Sequence, residues 1–381
     1  MRIAVIGAGA MGRVALADLL HDSDVEAIVV ADASLGAASQ AASGAQDRVR
    51  PLQLDARDME AARRAMRGCD VVINAAQYDT NVPVLRAAIA ERVQYADLGG
   101  LFHTTRDQLA LDAEAKAAGI TAIVGMGGAP GLTNLMARYL ADGMEAVHAI
   151  HVFLGAVDRT PTTAPFAVPY SIRTILDECT LPPMVFADGA FCAVEPFSGA
   201  VEVALPEPVG AVTAHHALHS EVATLPLTYA ARGIRDVSFR IAFPAEFARK
   251  LRLLVDLGLA DTKAIEVAGT PVVPREVLVA LVERQPATSG PIDDCDALRV
   301  VVEGTRGGQP VSETMDLLFP AHDGLSGGAF DTGVPLAIVA RMLARHEIAA
   351  AGVLAPEQCL DPATIFDALA ARQPIGGWPR R

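Results

Sequence analysis

Three glycines near the start of the chain restrict its fold more than any other feature. Residues 3–6 form a short apolar run, and Gly7, Gly9 and Gly12 follow it in G-x-G-x-x-G spacing. A helical pattern comes next, then a second apolar run that closes on Asp32, twenty residues after Gly12. Strand, glycine turn, helix, strand and terminal acid in that order describe a β-α-β unit built to hold a dinucleotide. Gly7 permits the tight turn, Gly9 lets the backbone approach a pyrophosphate, and Gly12 lets helix and strand pack closely. Free N–H groups at the positive helix end, around Ala10 and Met11, receive the phosphates. Asp32 accepts hydrogen bonds from ribose hydroxyls and repels a 2′-phosphate, and Ala33, Ser34 and Leu35 supply no arginine to offset that repulsion. NAD is therefore expected rather than NADP.

The alternation continues beyond the first unit. Apolar strand patterns at 3–6, 25–31, 49–54, 71–75, 95–98 and 120–124 are separated by helical patterns at 11–21, 35–42, 59–66, 81–91 and 108–118. Strands that read as continuous apolar runs joined by helices indicate a parallel sheet covered on both faces. The expected class is α/β, a doubly wound Rossmann domain over 1–128. Only Pro51 and Pro83 precede residue 128, whereas eight prolines fall between 160 and 208. Beyond that boundary, alternating patterns at 147–154, 236–243, 298–303 and 311–319 mix with helical ones at 170–179, 244–257 and 273–283. These predict a second, mixed α+β domain over 129–328 for substrate. Strong helical periodicity returns at 334–345, so the segment 329–381 is expected to complete the first domain.

Composition narrows the function classes. The 381 residues are 51% hydrophobic and 20% charged, enough for two sizeable cores. The net charge of −14 argues against nucleic acid or an anionic membrane surface as partner. No apolar run reaches the length of a membrane span. The five cysteines form no C-x-x-C pair, and no His/Cys spacing matches a metal site, so reduced thiols in a cytoplasmic protein are expected.

In a doubly wound sheet, ligands gather beyond the carboxyl ends of the strands. That rule selects Asp55 after the third strand, Asn74, Ala75 and Tyr78 after the fourth, Asp97 and Gly99 after the fifth, and Met126 to Gly131 after the sixth. Asp55, Asn74, Ala75, Gly99 and Met126 are cofactor candidates. Asp97 and Tyr78 are candidates for proton handling. The Gly127-Gly128-Ala129-Pro130-Gly131 turn before a helix offers N–H groups to a carboxylate. In the second domain, His215 to Glu221 concentrates titratable residues, with His219 and Glu221 the candidates for proton transfer. Arg173 and Arg240 sit in apolar settings, where a guanidinium suits bidentate carboxylate binding.

Four segments together resemble the saccharopine dehydrogenase-like family, on the side of its lysine 6-dehydrogenases. They are Gly7-Ala-Gly-Ala-Met-Gly, Asp97-Leu-Gly-Gly, Gly128-Ala-Pro-Gly-Leu-Thr-Asn and His219-Ser-Glu-Val-Ala-Thr-Leu-Pro. The resemblance implies an NAD-dependent oxidation at the C–N bond of an amino acid, and a homodimer joined through the second domain. A reductase that couples an amine to a keto acid, and a non-catalytic NAD sensor, are the alternative readings.

Overall fold

The computed structural model describes residues 1–286, 290–373 and 375–378. The amino-terminal part alternates β1 (Arg2–Ile6), α1 (Ala10–Leu20), β2 (Ala27–Asp32), α2 (Leu35–Ala42), β3 (Val49–Gln53), α3 (Met59–Met66), β4 (Val71–Asn74), α4 (Asn81–Glu91) and β5 (Gln94–Asp97). It continues through α5 (Phe102–Leu109), α6 (Asp112–Ala118), β6 (Thr121–Ile123) and α7 (Leu132–Ala141). Alternate residues of β1 feed different cores: Ile3 and Val5 enter one cluster, Ala4 and Ile6 the other. A strand buried on both sides needs helices on both faces, and this sheet has them.

The second part runs β7 (Ala146–Asp158), α8 (Ile172–Thr180), β8 (Met184–Ala187), β9 (Ala190–Ala193), β10 (Val201–Ala204), β11 (Ala211–His216), α9 (Glu221–Thr228) and β12 (Asp236–Ala242). It goes on through α10 (Ala245–Asp256), β13 (Ile265–Val267), β14 (Thr270–Val272), α11 (Pro274–Glu283), β15 (Asp294–Arg306) and β16 (Gln309–Pro320). The chain then returns through α12 (Gly327–Ala344), β17 (Gly352–Leu354), α13 (Pro356–Cys359) and α14 (Pro362–Ala370). The second sheet has the order β10-β11-β12-β7-β15-β16, with β8 beside β12 and β9 beside β8. Its β7–β12 pair is parallel and its other pairs are antiparallel.

Three sequence expectations need correction. The first sheet has seven strands, not six, in the order β17-β6-β5-β4-β1-β2-β3, because β17 adds in parallel beside β6. The single helix expected over 108–118 is two helices, α5 and α6, and Gln108 at the end of α5 turns inward to Asp97. The His215 to Glu221 segment, expected as a substrate-pocket loop, is not one loop: His215 and His216 end β11, and Glu221 opens α9.

Helix α12 begins at Gly327, where Ser326 Oγ accepts the Ala329 N–H at 3.1 Å. It packs on α1 so closely that a Cβ on Gly333 would stand 2.8 Å from both the Met11 carbonyl oxygen and Val14 Cβ. Arg341 locks the pair by donating to Asp18 Oδ2 at 2.5 Å, with the two side chains 7% and 12% exposed. Asp18 also accepts from Arg372 Nε at 2.6 Å, so loss of Arg341 leaves that carboxylate one cationic partner. Arg341→Ala should therefore lower unfolding free energy by about 2 kcal/mol, read as a shifted urea midpoint at unchanged slope.

Candidate active site

The glycine turn is shaped as its spacing requires. Gly7 has φ +96°, and a Cβ there would lie 2.6 Å from the Ala75 carbonyl carbon. A Cβ on Gly12 would strike the Gly7 carbonyl oxygen at 2.0 Å, whereas one on Gly9 would meet nothing within 4 Å. Gly9 and Ala10 are exposed and Met11 is half-buried. The Asp32 carboxylate accepts N–H bonds from Ala8 and Ser34, both at 2.8 Å. It thereby stiffens the turn from the position where an adenosine ribose would meet it. An open glycine backbone at a helix start, beside a fixed carboxylate, fits a dinucleotide.

Other expected cofactor contacts have structural duties. Asn74 is 1% exposed. Its amide donates to Thr80 Oγ1 and Asn81 Oδ1 and accepts from Ala76 N, so it shapes the following turn rather than offering a free side chain. Ala75 lies behind the glycine turn, with its N–H on the Ile6 carbonyl. Met126 is fully buried in the core. Gly99, at φ +90°, lies against Pro130. Asp55 accepts from Arg57 N–H and pairs with the Arg57 guanidinium.

Asp97 needs the clearest correction. It is fully buried, and four donors claim its two oxygens. Tyr95 Oη and Gln108 Nε2 reach Oδ2 at 2.7 and 2.5 Å, while Gly99 N and Gly125 N reach Oδ1 at 2.7 Å each. Burial raises its pKa although these four bonds pull the other way. A carboxylate so engaged pins the ends of β5 and β6 and is removed from proton transfer. Asp97→Asn cannot accept from all four donors, so a stability loss of about 3 kcal/mol is expected in thermal or urea unfolding.

The expected carboxylate anchors do not converge on the cleft. Arg173 is spent on Glu276 in two bonds of 2.7 and 2.6 Å. The Gly131 N–H donates to Asn134 Oδ1, and the N–H groups of Gly127, Leu132 and Thr133 bond within the turn. Arg240 is on the wrong face of the second sheet. Successive strand residues point to opposite sides, and Phe239, its neighbour, stacks on His219 with ring centres 3.8 Å apart.

A different set of side chains gathers between the two sheets. The Ser220 hydroxyl bonds to the Gly100 carbonyl, which brings the start of α9 against the end of β5. His219 Nδ1 bonds to Glu221, whose second oxygen accepts from Thr133 Oγ1 at 2.7 Å. Burial opposes the His219 cation, but Glu221, by charge and hydrogen bond, and Glu178 outweigh it, so the imidazole pKa is raised. Glu178 on α8 accepts from Tyr170 Oη at 2.5 Å and is 4% exposed. Burial lifts its carboxyl to about 7, against the pull of His219 and Tyr170.

Two aspartates extend this group. Asp331, on α12, is 2% exposed and lies so near Gly128 that a Cβ there would meet its carboxylate at 2.7 Å. Two residues on, Gly333 touches the glycine-turn helix, so α12 meets that helix through Gly333 and the turn after β6 through Asp331. Burial, then the neighbouring Asp296, drive its pKa far up. Asp296, on β15, is raised to about 7 by burial, with Asp294 and Asp158 adding repulsion. Among the described residues, none of Glu178, Asp296 and Asp331 forms an ion pair with lysine or arginine. Tyr78, by contrast, donates to Asp177 at 2.6 Å, and Asp177 pairs with Arg275. Among the described residues no group of three or more His, Cys, Asp or Glu converges closely enough to hold a metal ion, and no helix is long and apolar enough to cross a membrane.

Comparison with known proteins agrees with this architecture. Residues 3–123 match the family model of the saccharopine dehydrogenase NADP-binding domain, and residues 127–374 match that of the saccharopine dehydrogenase C-terminal domain. The chain belongs to the saccharopine dehydrogenase family. A carboxyaminopropylagmatine dehydrogenase from Synechocystis is 23% identical to it over 95% of this chain and 93% of the relative. The Saccharomyces cerevisiae saccharopine dehydrogenase (L-Glu forming) superposes with a TM-score of 0.75 at 18% identity, covering 98% of each chain. A homospermidine synthase from Legionella pneumophila, solved in complex with NAD, superposes with a TM-score of 0.68 at 13% identity over 100% of this chain and 92% of its own. The family fold, a parallel sheet with flanking helices plus a mixed sheet, is the one described above.

Within that family frame, sequence reading missed Glu178, Asp296 and Asp331. Glu178 follows Asp177 and Asp296 follows Asp293 and Asp294, so each reads as one of several acids on an element, and nothing in the sequence marks which of them turns inward. Glu178 also gives the site a pH signature. Its carboxyl binds a proton more tightly in the folded chain, where its pKa is about 7, than at its ordinary 4.5. Its stabilising contribution is thus complete below 4.5 and is lost as pH rises through about 7. In Glu178→Gln, the fall in unfolding free energy between those limits should shrink by on the order of 2 kcal/mol, measured by urea titration at several pH values.

Proposed function

We propose that this protein is an NAD-dependent oxidoreductase acting at the C–N bond of a cationic amine. The observation that carries the reading is the set of carboxyl groups of buried Glu178 and Asp331 and half-buried Asp296, none of which pairs with lysine or arginine among the described residues, the His219 imidazole acting on Glu178 alone. Buried carboxylates are costly unless paired. A protonated amine, or the iminium ion left when the neutral amine loses hydride, supplies the missing positive charge. The amino-acid donor suggested by the sequence loses support, because Arg173, Arg240 and the Gly131 turn are all engaged elsewhere or face away. The Synechocystis relative is named a carboxyaminopropylagmatine dehydrogenase, and that substrate name contains an amino group as well as a carboxy group.

Bound NAD would supply the hydride acceptor. The residues of the chain must then manage the protons. Oxidation needs the amine neutral, so one proton must leave the nitrogen before a hydride leaves the adjacent carbon. Carboxyl groups whose pKa values lie near 7, such as Glu178 and Asp296, exchange a proton readily at neutral pH. The His219–Glu221 pair holds an imidazole ready to give or take the proton of the water that adds to the imine. Run in reverse, the same groups protonate nitrogen during reductive coupling of an amine with a carbonyl compound.

The NAD preference rests on Asp32, which would repel a 2′-phosphate. Fluorescence titration should give NADH an affinity at least about tenfold above that of NADPH, and Asp32→Ala should narrow the gap. Turnover of a panel of amines and diamines with NAD, read as absorbance of the reduced cofactor, tests the substrate. Asp331→Asn should raise the amine KM at least about tenfold while leaving NADH affinity unchanged. Tight NADH binding with no turnover of any amine, forward or reverse, would sink the proposal.

A further inference from the structure

The outer face of the second sheet carries polar side chains that the cleft does not use. Arg240 on β12 lies opposite His216 on β11, and Ser238 lies opposite His151 on β7. Arg240 Nη1 donates to Ser238 Oγ at 2.6 Å, and His151 Nδ1 meets the same hydroxyl at 2.8 Å. Arg240 Nε donates to the Gly199 carbonyl at 3.1 Å. Its guanidinium lies 5.8 Å from the Phe153 ring centre. Among the described residues Arg240 has no carboxylate partner, and burial lowers its pKa with no acid to offset the effect.

Unpartnered polar atoms concentrate at the same spot. Both ring nitrogens of His216 and the Ser198 hydroxyl are enclosed without a hydrogen-bond partner. Only Thr105 Oγ1 and Gln108 Oε1 share that condition among the described residues. Each such atom costs about 1–3 kcal/mol, and their convergence calls for a ligand that would satisfy them. The turn above them is strained. Phe197 adopts φ +57° and Gly199 φ +64°, and a Cβ on Gly199 would strike His216 Cε1 at 2.4 Å. A bulky residue in the left-handed region costs about 1–2 kcal/mol, so displacing this turn uncovers His216 and relaxes the backbone together.

We propose that Arg240, His216 and His151, with Ser198 and Ser238, form a binding site for a small oxyanion, a phosphate or a carboxylate, on the sheet face remote from the cleft. Arg240 Nη2, which neither Ser238 nor Gly199 engages, donates to one oxygen of the anion. The Ser198 hydroxyl and a protonated His216 donate to the others. His216 is neutral without such a partner, because burial and then Arg240, His151 and His215 hold its pKa near 4. An anion reverses the local charge and favours the imidazolium. The acids nearby, Asp236 and Glu303, act on His151, so the oxyanion belongs on the Arg240–His216 side.

Calorimetric titration of the full chain at neutral pH with inorganic phosphate, and separately with succinate, tests this. Saturable binding of at least one anion by the wild type is expected. The stronger of the two tells phosphate from carboxylate. Arg240→Gln and His216→Asn should each weaken that binding at least about tenfold and leave NADH affinity, which also reports folding, unchanged. No saturable binding by the wild type, or equal binding by wild type and both variants, overturns the site. So does dissociation of an oligomer by Arg240→Gln, in sedimentation velocity, with no anion effect, because a carboxylate of a second copy would then be the partner.

Discussion

Everything the second domain contributes depends on how closely α12 can approach α1. That approach is possible because residue 333 has no side chain, so the Met11 carbonyl and Val14 lie where a Cβ would be. The Arg341–Asp18 pair then holds the two helices in register. The consequence is chemical as well as mechanical. Asp331, half a turn before Gly333, is carried to the Gly128 turn after β6, and β16 and α12 together bind the second sheet to the first. A larger residue at 333 would separate two helices and also withdraw a carboxyl group from the cleft.

Charge gives this geometry its meaning. The inside of the cleft holds Glu178, Asp296, Asp331 and Glu221, with His219, among the described residues, as the one cation-capable partner bonded to any of them. Burial and neighbouring acids push the pKa values of Glu178 and Asp296 up to about 7 and drive that of Asp331 upward as well. Such a set is poorly arranged for stability and well arranged for a ligand that brings its own positive charge and gives up a proton. Asp97, only one strand end away, shows the contrast. Its four donors use both oxygens fully, and the result is a fixed corner rather than a reactive one.

The doubly wound half was legible in the sequence because its signals are local. Apolar runs, a glycine triplet and a terminal acid lie in order along the chain, and α2, α3 and α4 have the bounds their patterns indicate. The seventh strand, β17, was not legible. It is three residues long and pairs with β6 from more than 220 positions away (Gly352 opposite Thr121). The residues of the cleft were legible only in part. His219 and Glu221 stood out as titratable groups close together in sequence, whereas Glu178, Asp296 and Asp331 are brought together from α8, β15 and α12.

Arg240 shows where reading by residue type fails and reading by strand register succeeds. An arginine in an apolar strand suggests a carboxylate, and that chemistry remains sound. What the sequence does not state is which side of the sheet it serves. Phe239 faces His219 and the cleft, so Arg240, one residue later, must face away. There it meets His216 and His151 instead of other acids. The same strand thus contributes an apolar wall to an anionic cleft and a guanidinium to a cationic surface, with the sheet between them insulating one field from the other.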